Sequence, residues 1–311
     1  LTERLTEKSL FQPEFLYPRY WPTWLGMGLL RLLSLLPLRA LFAIGKLLGR
    51  ILHRILIERR RIATINISRC FPNQSHQAVA DIVRDTFEVI ATVALTGGVT
   101  WWASHERLSR LVRVHQSQHF TEALKNKQPI ILLAPHFCAV DTAGIYLSSQ
   151  HPGVSIFQRS RNRLLDAFVL RGRQRFGAQL FERKGGMRSL IRAVRNGATL
   201  YYLPDQDPGP RRAVFAPFFG VQTASWPVLG RVAGLIDATV IPCVCRLNRT
   251  EAGYDIHFEA PLKDFPTGDA LTDAARMNAV VEAQIKETPS QYFWVHKRFK
   301  TRPAGEEDFY R

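Results

Sequence analysis

From about residue 128 onward the chain changes to short apolar runs set between basic helical segments, an alternation that leaves few folds open to it. Ile130 to Ala134, Gly153 to Phe157, Thr199 to Leu203, Thr239 to Cys245 and Tyr254 to Phe258 each read as buried strands bounded by Gly, Pro or Asp. Helical patterns fall between several of them, near residues 139–149, 161–175, 186–196 and 224–236, and a last long helix near 269–287 ends before Pro289. Elements in this order predict an α/β fold with a central, mostly parallel or mixed sheet flanked by helices.

The N-terminal part follows a different rule. Residues 21–57 are the most apolar stretch, yet Arg31 interrupts the first run and Pro37 should kink or end its helix. A clean membrane span needs roughly 20 apolar residues, which this run lacks. Beyond Pro37, Arg39, Lys46, Arg50 and Arg54 recur at helical steps while Leu41, Phe42, Leu47, Leu48, Ile51, Ile55 and Leu56 fill the rest of the circumference. That is a basic amphipathic helix, expected to lie in the headgroup plane of a membrane with Trp21 and Trp24 at its boundary. The competing readings are helices that simply pack on the core, and a single tilted span over residues 21–45. The expected division is a membrane-associating helical region at 1–65 and an α/β domain at 66–311, entered through a helical region near 76–110.

The formal net charge of +16 calls for an acidic partner: nucleic acid, anionic lipid or an acidic carrier. Residues 19–61 hold nine Lys or Arg against Glu58, so about half the net charge tracks the amphipathic segment, which favours lipid over nucleic acid. The second cluster, residues 159–195, holds eleven Lys or Arg against Asp166 and Glu182, and suits lipid phosphates or an acidic carrier. Cys70, Cys138, Cys243 and Cys245 lack the pairing and His spacing of a zinc site and read as free thiols. The sequence holds no charged-then-apolar segment with a cleavage site, so export is not expected.

The chemistry-bearing segment is Ile131 to Asp141, a buried strand, a turn at Pro135 and a helix. Reacting groups collect at the carboxyl ends of strands in open α/β sheets, where His136 falls. Residues five apart on one helix point about 140° apart, so His136 must sit on the turn for its ring to fold back toward Asp141. The carboxylate would then fix the tautomer and leave the other ring nitrogen to take a proton from a hydroxyl. A surface His beside a first-turn acid is the plainer reading of the same residues. Cys138 as nucleophile has no defensible geometry two residues from His136 on one turn.

His136 and Asp141 form the H-x4-D arrangement of lysophospholipid-type acyltransferases, and the chain resembles one branch of them, the late acyltransferases of lipid A biosynthesis in Gram-negative bacteria. The resemblance rests on Pro18-Arg19-Tyr20-Trp21 with Trp24-Leu25-Gly26, on Arg173-Gln174-Arg175-Phe176-Gly177, and on Tyr202 to Asp207 followed by Gly209-Pro210. Phe218-Phe219-Gly220, Pro289 to Lys300 and Arg302-Pro303 through Gly305 continue it, so it covers nearly the whole chain in order. Pro135-His136, Ala139-Val140-Asp141 and Asp205-Gln206-Asp207 look more like the second-acting, often myristoyl, transferase. Asp141 stands where many members carry Glu, and Gln158 where many first-acting relatives have Arg.

The resemblance implies transfer of an acyl chain from acyl carrier protein to the 3-hydroxyl of an acyl chain on a phosphorylated lipid A precursor, at the cytoplasmic face of the inner membrane among anionic lipids. His136 would be the base, Asp141 its orienting partner and Arg173 the cation facing the tetrahedral oxyanion, with surface or phosphate pairing as that arginine's plainer role. Asn162, Arg175, Arg183, Asp205, Asp207 and Arg298 are the expected substrate-binding residues. Asp205 and Asp207 follow a strand and could order the arginines of the second cluster or the active site, and they read equally well as helix caps. No cofactor and no metal are expected: two acids around Gln206 make a thin ligand set, and thioester transfer needs none. The alternatives are acylation of a glycerophospholipid or amino-acid lipid and, from another class, a basic nucleic-acid-binding protein, which charge alone suggests.

Overall fold

The computed structural model describes residues 10–182 and 187–311. Four helices come first: α1 (Trp21–Leu33), α2 (Leu38–Ile55), α3 (Ile57–Cys70) and α4 (His76–Trp102). Pro37 separates α1 from α2, and α3 runs through residue 65, where the division of the chain was expected. The helical region expected near 76–110 is two helices, α4 and α5 (His105–Leu111), capped by the Ser75 and Ser104 hydroxyls. No helix among the described residues is long and apolar enough to cross a membrane.

The α2 helix packs along α4 at close range. A Cβ on Gly45 would stand 2.5 Å from the Thr92 hydroxyl, and one on Gly49 would run into the Glu88 backbone, so the contact requires glycine at both positions. Leu38, Leu41, Gly45 and Gly49 are the buried stripe, while Ile44, Leu47, Ile51 and Ile55 stay exposed. Among the described residues, fourteen of the eighteen exposed large hydrophobic side chains lie between Phe11 and Ile57. The basic stripe differs from the expectation of cations all turned to lipid: the Arg50 guanidinium pairs at 2.9 Å with Glu88, a buried acid of α4.

The α/β part contains β1 (Val112–His115), α6 (Gln118–Lys125), β2 (Ile130–Leu133), α7 (Val140–Gln150), β3 (Gly153–Phe157) and α8 (Arg163–Gln174). It continues through β4 (Gln179–Glu182), α9 (Met187–Arg195), β5 (Thr199–Tyr202), the hairpin β6 (Val214–Phe218) and β7 (Val221–Ser225), and α10 (Val228–Ile236). It closes with β8 (Thr239–Asn248), β9 (Gly253–Phe258) and α11 (Ala270–Glu287). Seven strands form one mixed sheet in the order β1-β9-β8-β2-β5-β3-β4. From β8 to β4 neighbouring strands run parallel, and β9 turns back antiparallel to β8 with β1 parallel beside it. All four residues of β2 are buried, as an unbroken apolar strand at the centre of a covered sheet must be. The short strands β1 and β4 and the β6–β7 hairpin escaped the sequence reading, because four or five residues with mixed polarity give no clear period.

Candidate active site

The chain leaves the sheet at Leu133, turns at Pro135 and starts α7 at Val140. His136 stands on that turn, pinned from both flanks. The C-terminal segment after α11 lies alongside: Cys138 donates its N–H to the Gln291 carbonyl at 2.8 Å, and Phe293 donates to the His136 carbonyl at 3.0 Å. Deeper in, Asp205 receives two bonds from the same residue, the His136 backbone N–H at 2.8 Å and Nδ1 of its ring at 2.6 Å.

The reason for that meeting is register. Strands β2 and β5 are parallel neighbours with Leu133 beside Tyr202, so His136 and Asp205 each follow three residues beyond a paired position. Asp205 is buried, and burial alone would raise its carboxyl. The His136 charge, its two hydrogen bonds and the Tyr292 hydroxyl outweigh that and hold it below the usual carboxylate value. Tyr292 is itself pushed well up by burial and by Asp205.

The ring partner is therefore Asp205, and the expected pairing of His136 with Asp141 is corrected. Asp141 lies in the first turn of α7, where its carboxylate faces Arg173 near the end of α8. The guanidinium takes it as a fork, Nη2 at 2.8 and 3.0 Å and Nε at 3.2 Å, and also lies 5.6 Å over the Phe157 ring. Residues so far apart in sequence could not be matched from spacing.

His136, Asp141 and Arg173 all line one cavity of about 470 Å³. Its walls continue through Val140, Gly144, Ile145, Val154, Ile156, Ala178 and Leu180, with Gln158, Tyr201 and Asp207 among the polar positions. This size and mostly apolar lining suit a chain-like ligand with a few polar groups near its reacting end.

Most of the remaining expected substrate residues make hydrogen bonds within the fold. Arg175 caps the end of α4, donating to the Thr100 carbonyl at 2.7 Å and to that of Ala103. Asn162 caps α8 through Leu165 N–H at 3.1 Å and donates to Thr23 of α1 at 2.8 Å. Arg298 is buried against the hairpin, bonded to the Ala224 carbonyl at 2.7 Å and the Ser225 hydroxyl at 3.3 Å. Asp207 accepts from Gly209 N–H and from the Thr301 backbone and hydroxyl, although it also borders the cavity. Arg175, Asn162 and Arg298, expected to bind substrate, thus each have hydrogen-bond partners within the chain. Arg183 lies outside the described residues.

Burial pushes the Cys138 thiol up to about 12 against an opposing backbone hydrogen bond, so it carries almost no thiolate at neutral pH. Among the described residues, His115, Asp255 and His257 gather at ligand-like spacing on the β1–β9 edge. The Asp255 carboxylate there already accepts from Arg113 at 2.9 Å and Asn248 at 2.6 Å.

A histidine held by a buried aspartate beyond the carboxyl end of a central strand, and lining a mostly apolar cavity, suits group transfer involving an apolar chain. The sequence comparisons agree. The family described as bacterial lipid A biosynthesis acyltransferase matches over residues 8–301. The lipid A biosynthesis lauroyltransferase of Escherichia coli K12 is 34% identical, over 97% of this chain and 98% of that protein. The myristoyltransferase of the same strain is 32% identical over 97% and 94%, and the palmitoleoyltransferase 29% identical over 96% and 98%. The chain belongs to the bacterial lipid A biosynthesis acyltransferase family, and it is an acyltransferase. Relatives named for three different acyl chains match it at similar identity, so no branch is singled out.

Proposed function

We propose that the enzyme transfers a fatty acyl group from an acyl carrier protein thioester to the 3-hydroxyl of an acyl chain already on a phosphorylated lipid A precursor. The observation that carries this reading is the His136–Asp205 pair, with His136 lining the apolar cavity. With Nδ1 engaged by Asp205, Nε2 of His136 is the nitrogen for the acceptor hydroxyl. It takes the hydroxyl proton as the oxygen attacks the thioester carbonyl. The tetrahedral intermediate then collapses, the carbon–sulfur bond breaks, and the carrier thiolate receives the proton from the imidazolium.

Arg173, which lines the same cavity, is the cation assigned to the oxyanion, and in this mechanism Asp141 orients Arg173 rather than His136. The aspartate of the H-x4-D spacing thus keeps a role through a different partner. The second-acting, myristoyl-type reaction remains our reading of the Pro135-His136 and Asp205-Gln206-Asp207 segments.

The exposed apolar side chains of residues 11–57 support attachment at the cytoplasmic surface of the inner membrane, with α1 and α2 lying in the interface. Incubating the protein with phosphorylated lipid A precursors and a panel of acyl-carrier thioesters, and weighing the products, tests the reaction. A product heavier by one acyl group, formed only from a carrier thioester, is expected. Acylation of glycerophospholipid in preference to the precursor would overturn the substrate assignment.

A further inference from the structure

On the polar side of α2 a second cavity, of about 450 Å³, opens between α2, α4 and the turn joining β8 to β9. It shares no lining residue with the reaction cavity. Lys46, Arg50, His53 and Arg54 come from α2, Arg84, Asp85 and Glu88 from α4, and Arg249 from the turn. Five of these side chains are Lys or Arg, and only two are acids.

The acids are already engaged. Glu88 takes Arg50 at 2.9 Å and Arg249 at 3.8 Å, while Arg84 is shared between Asp85 at 3.6 Å and Asp81 at 2.8 Å. Among the described residues, Lys46 and Arg54 have no carboxylate within ion-pair distance. The surplus is positive, and His53 senses it: burial first, then Arg60, Arg84 and Arg54, lower its imidazole from the ordinary value.

One further feature says which anion fits. Leu47, Ile51 and Ile55, exposed on the same helix, lie within a turn of Lys46, Arg50 and Arg54. A cationic hollow beside an exposed apolar stripe has the polarity of a phospholipid, phosphate in the hollow and acyl chains along the stripe. A flat basic face would suit an acidic protein better than a concave one does.

We propose that this cavity binds the phosphate of an anionic phospholipid headgroup, as a lipid site separate from the reacting centre. The proposal rests on the membrane-surface reading above. Arg50 and Arg84, held in place by Glu88, Asp81 and Asp85, form the fixed wall, and Lys46 and Arg54 supply the charge that the phosphate neutralises.

The test is co-sedimentation of the full chain with phosphatidylcholine vesicles, with and without phosphatidylglycerol. Lys46→Gln/Arg54→Gln is compared with Arg19→Gln/Arg39→Gln, which removes two exposed cations of the same region outside the cavity, each double variant first being matched to wild type by thermal melting. The cavity variant should lose about tenfold more of the phosphatidylglycerol-dependent binding than the control, since diffuse surface attraction would weaken both alike. Equal losses overturn the proposal. So does saturable stabilisation by inorganic phosphate without any phosphatidylglycerol preference, which would assign the hollow to a soluble anion. Unchanged vesicle binding with lost binding to acidic carrier protein would make it a protein-docking surface instead. Wild type that sediments with neither vesicle fails at the earlier step, overturning membrane attachment and with it this site.

Discussion

Asp205 is carried by the end of a central strand with its side chain 2% exposed, whereas Asp141 sits in the first turn of a helix with its side chain 38% exposed. Ladder bonds on both sides fix the β5 strand that leads into Asp205, so its carboxylate can hold a ring without moving. Its desolvation is offset by hydrogen bonds from the His136 ring and backbone. Asp141 has looser support and a solvated partner, and an ion pair so exposed contributes little to stability. Its value is directional, since the fork contact sets the plane of the Arg173 guanidinium. In the proposed mechanism, depth thus separates a carboxylate that sets a base from one that aims a cation.

The largest effect should come from the buried pair. His136→Ala should lower turnover by about 10² to 10⁴ and also lower the melting temperature, because buried Asp205 loses its ring donor, and Asp205→Asn should lower turnover in the same range because the amide presents the wrong partner to Nδ1. Turnover of Asp205→Asn near wild type, with Asp141→Asn crippled, would return the orienting role to Asp141. Asp205→Ala should also destabilise the fold by about 1–3 kcal/mol, since it leaves the part-buried His136 N–H without its acceptor. Urea unfolding followed by tryptophan fluorescence measures that loss.

Next in size is the helix pair, and a double-mutant cycle on turnover tells the two regions apart. Asp141→Asn and Arg173→Gln should be strongly non-additive, with a coupling of about 0.5–3 kcal/mol, because one residue acts through the other. Asp141→Glu should retain partial activity, whereas Arg173→Lys should lose most of it along with the fork. Additive losses within error would mean that Asp141 has a partner other than Arg173.

A pH series sharpens the contrast. Burial opposes ionisation of Asp205, but His136 and Tyr292 leave its folded value below the unfolded value of 3.8. The stability that this depression contributes is complete above 3.8 and is lost as pH falls through the lower folded value. Asp205→Asn should therefore show a shallower loss of unfolding free energy below about pH 4 than wild type. Asp141→Asn serves as the exposed-carboxylate comparison. An unaltered acid limb in Asp205→Asn would show that the native pair does not favour the ionised carboxyl.

The smallest effect belongs to Cys138. Its thiol is pushed up to about 12, so Cys138→Ser should retain activity within a few fold, and iodoacetamide at neutral pH should leave the wild-type enzyme working. A trapped acyl-cysteine in the mass spectrum would replace direct transfer by a covalent route.

Several elements of this arrangement were legible in the sequence. Apolar runs such as Ile130 to Leu133 declare buried strands because their neighbours demand a dry surface on both faces. Pro37 separates two helices because it lacks the N–H that an unbroken one would need. His136 could be singled out because a strand, a proline turn and a helix set it at a strand's carboxyl end. Its partner could not. The sequence lets Asp205 bind substrate, order the arginines or the active site, or cap a helix, and does not pair it with His136, since its distance from His136 in space depends on β2 and β5 being neighbours in register. The same holds for Asp141 with Arg173, joined by the packing of α7 on α8, and for Arg50, which reaches a buried Glu88 through a glycine contact between α2 and α4. Local sequence determines which segments become strands, turns and helices, because backbone preference and apolar period act over a few residues. Which charged side chains meet was decided by strand order and helix packing, because those contacts join positions 32 to 69 residues apart and arise only when the core closes.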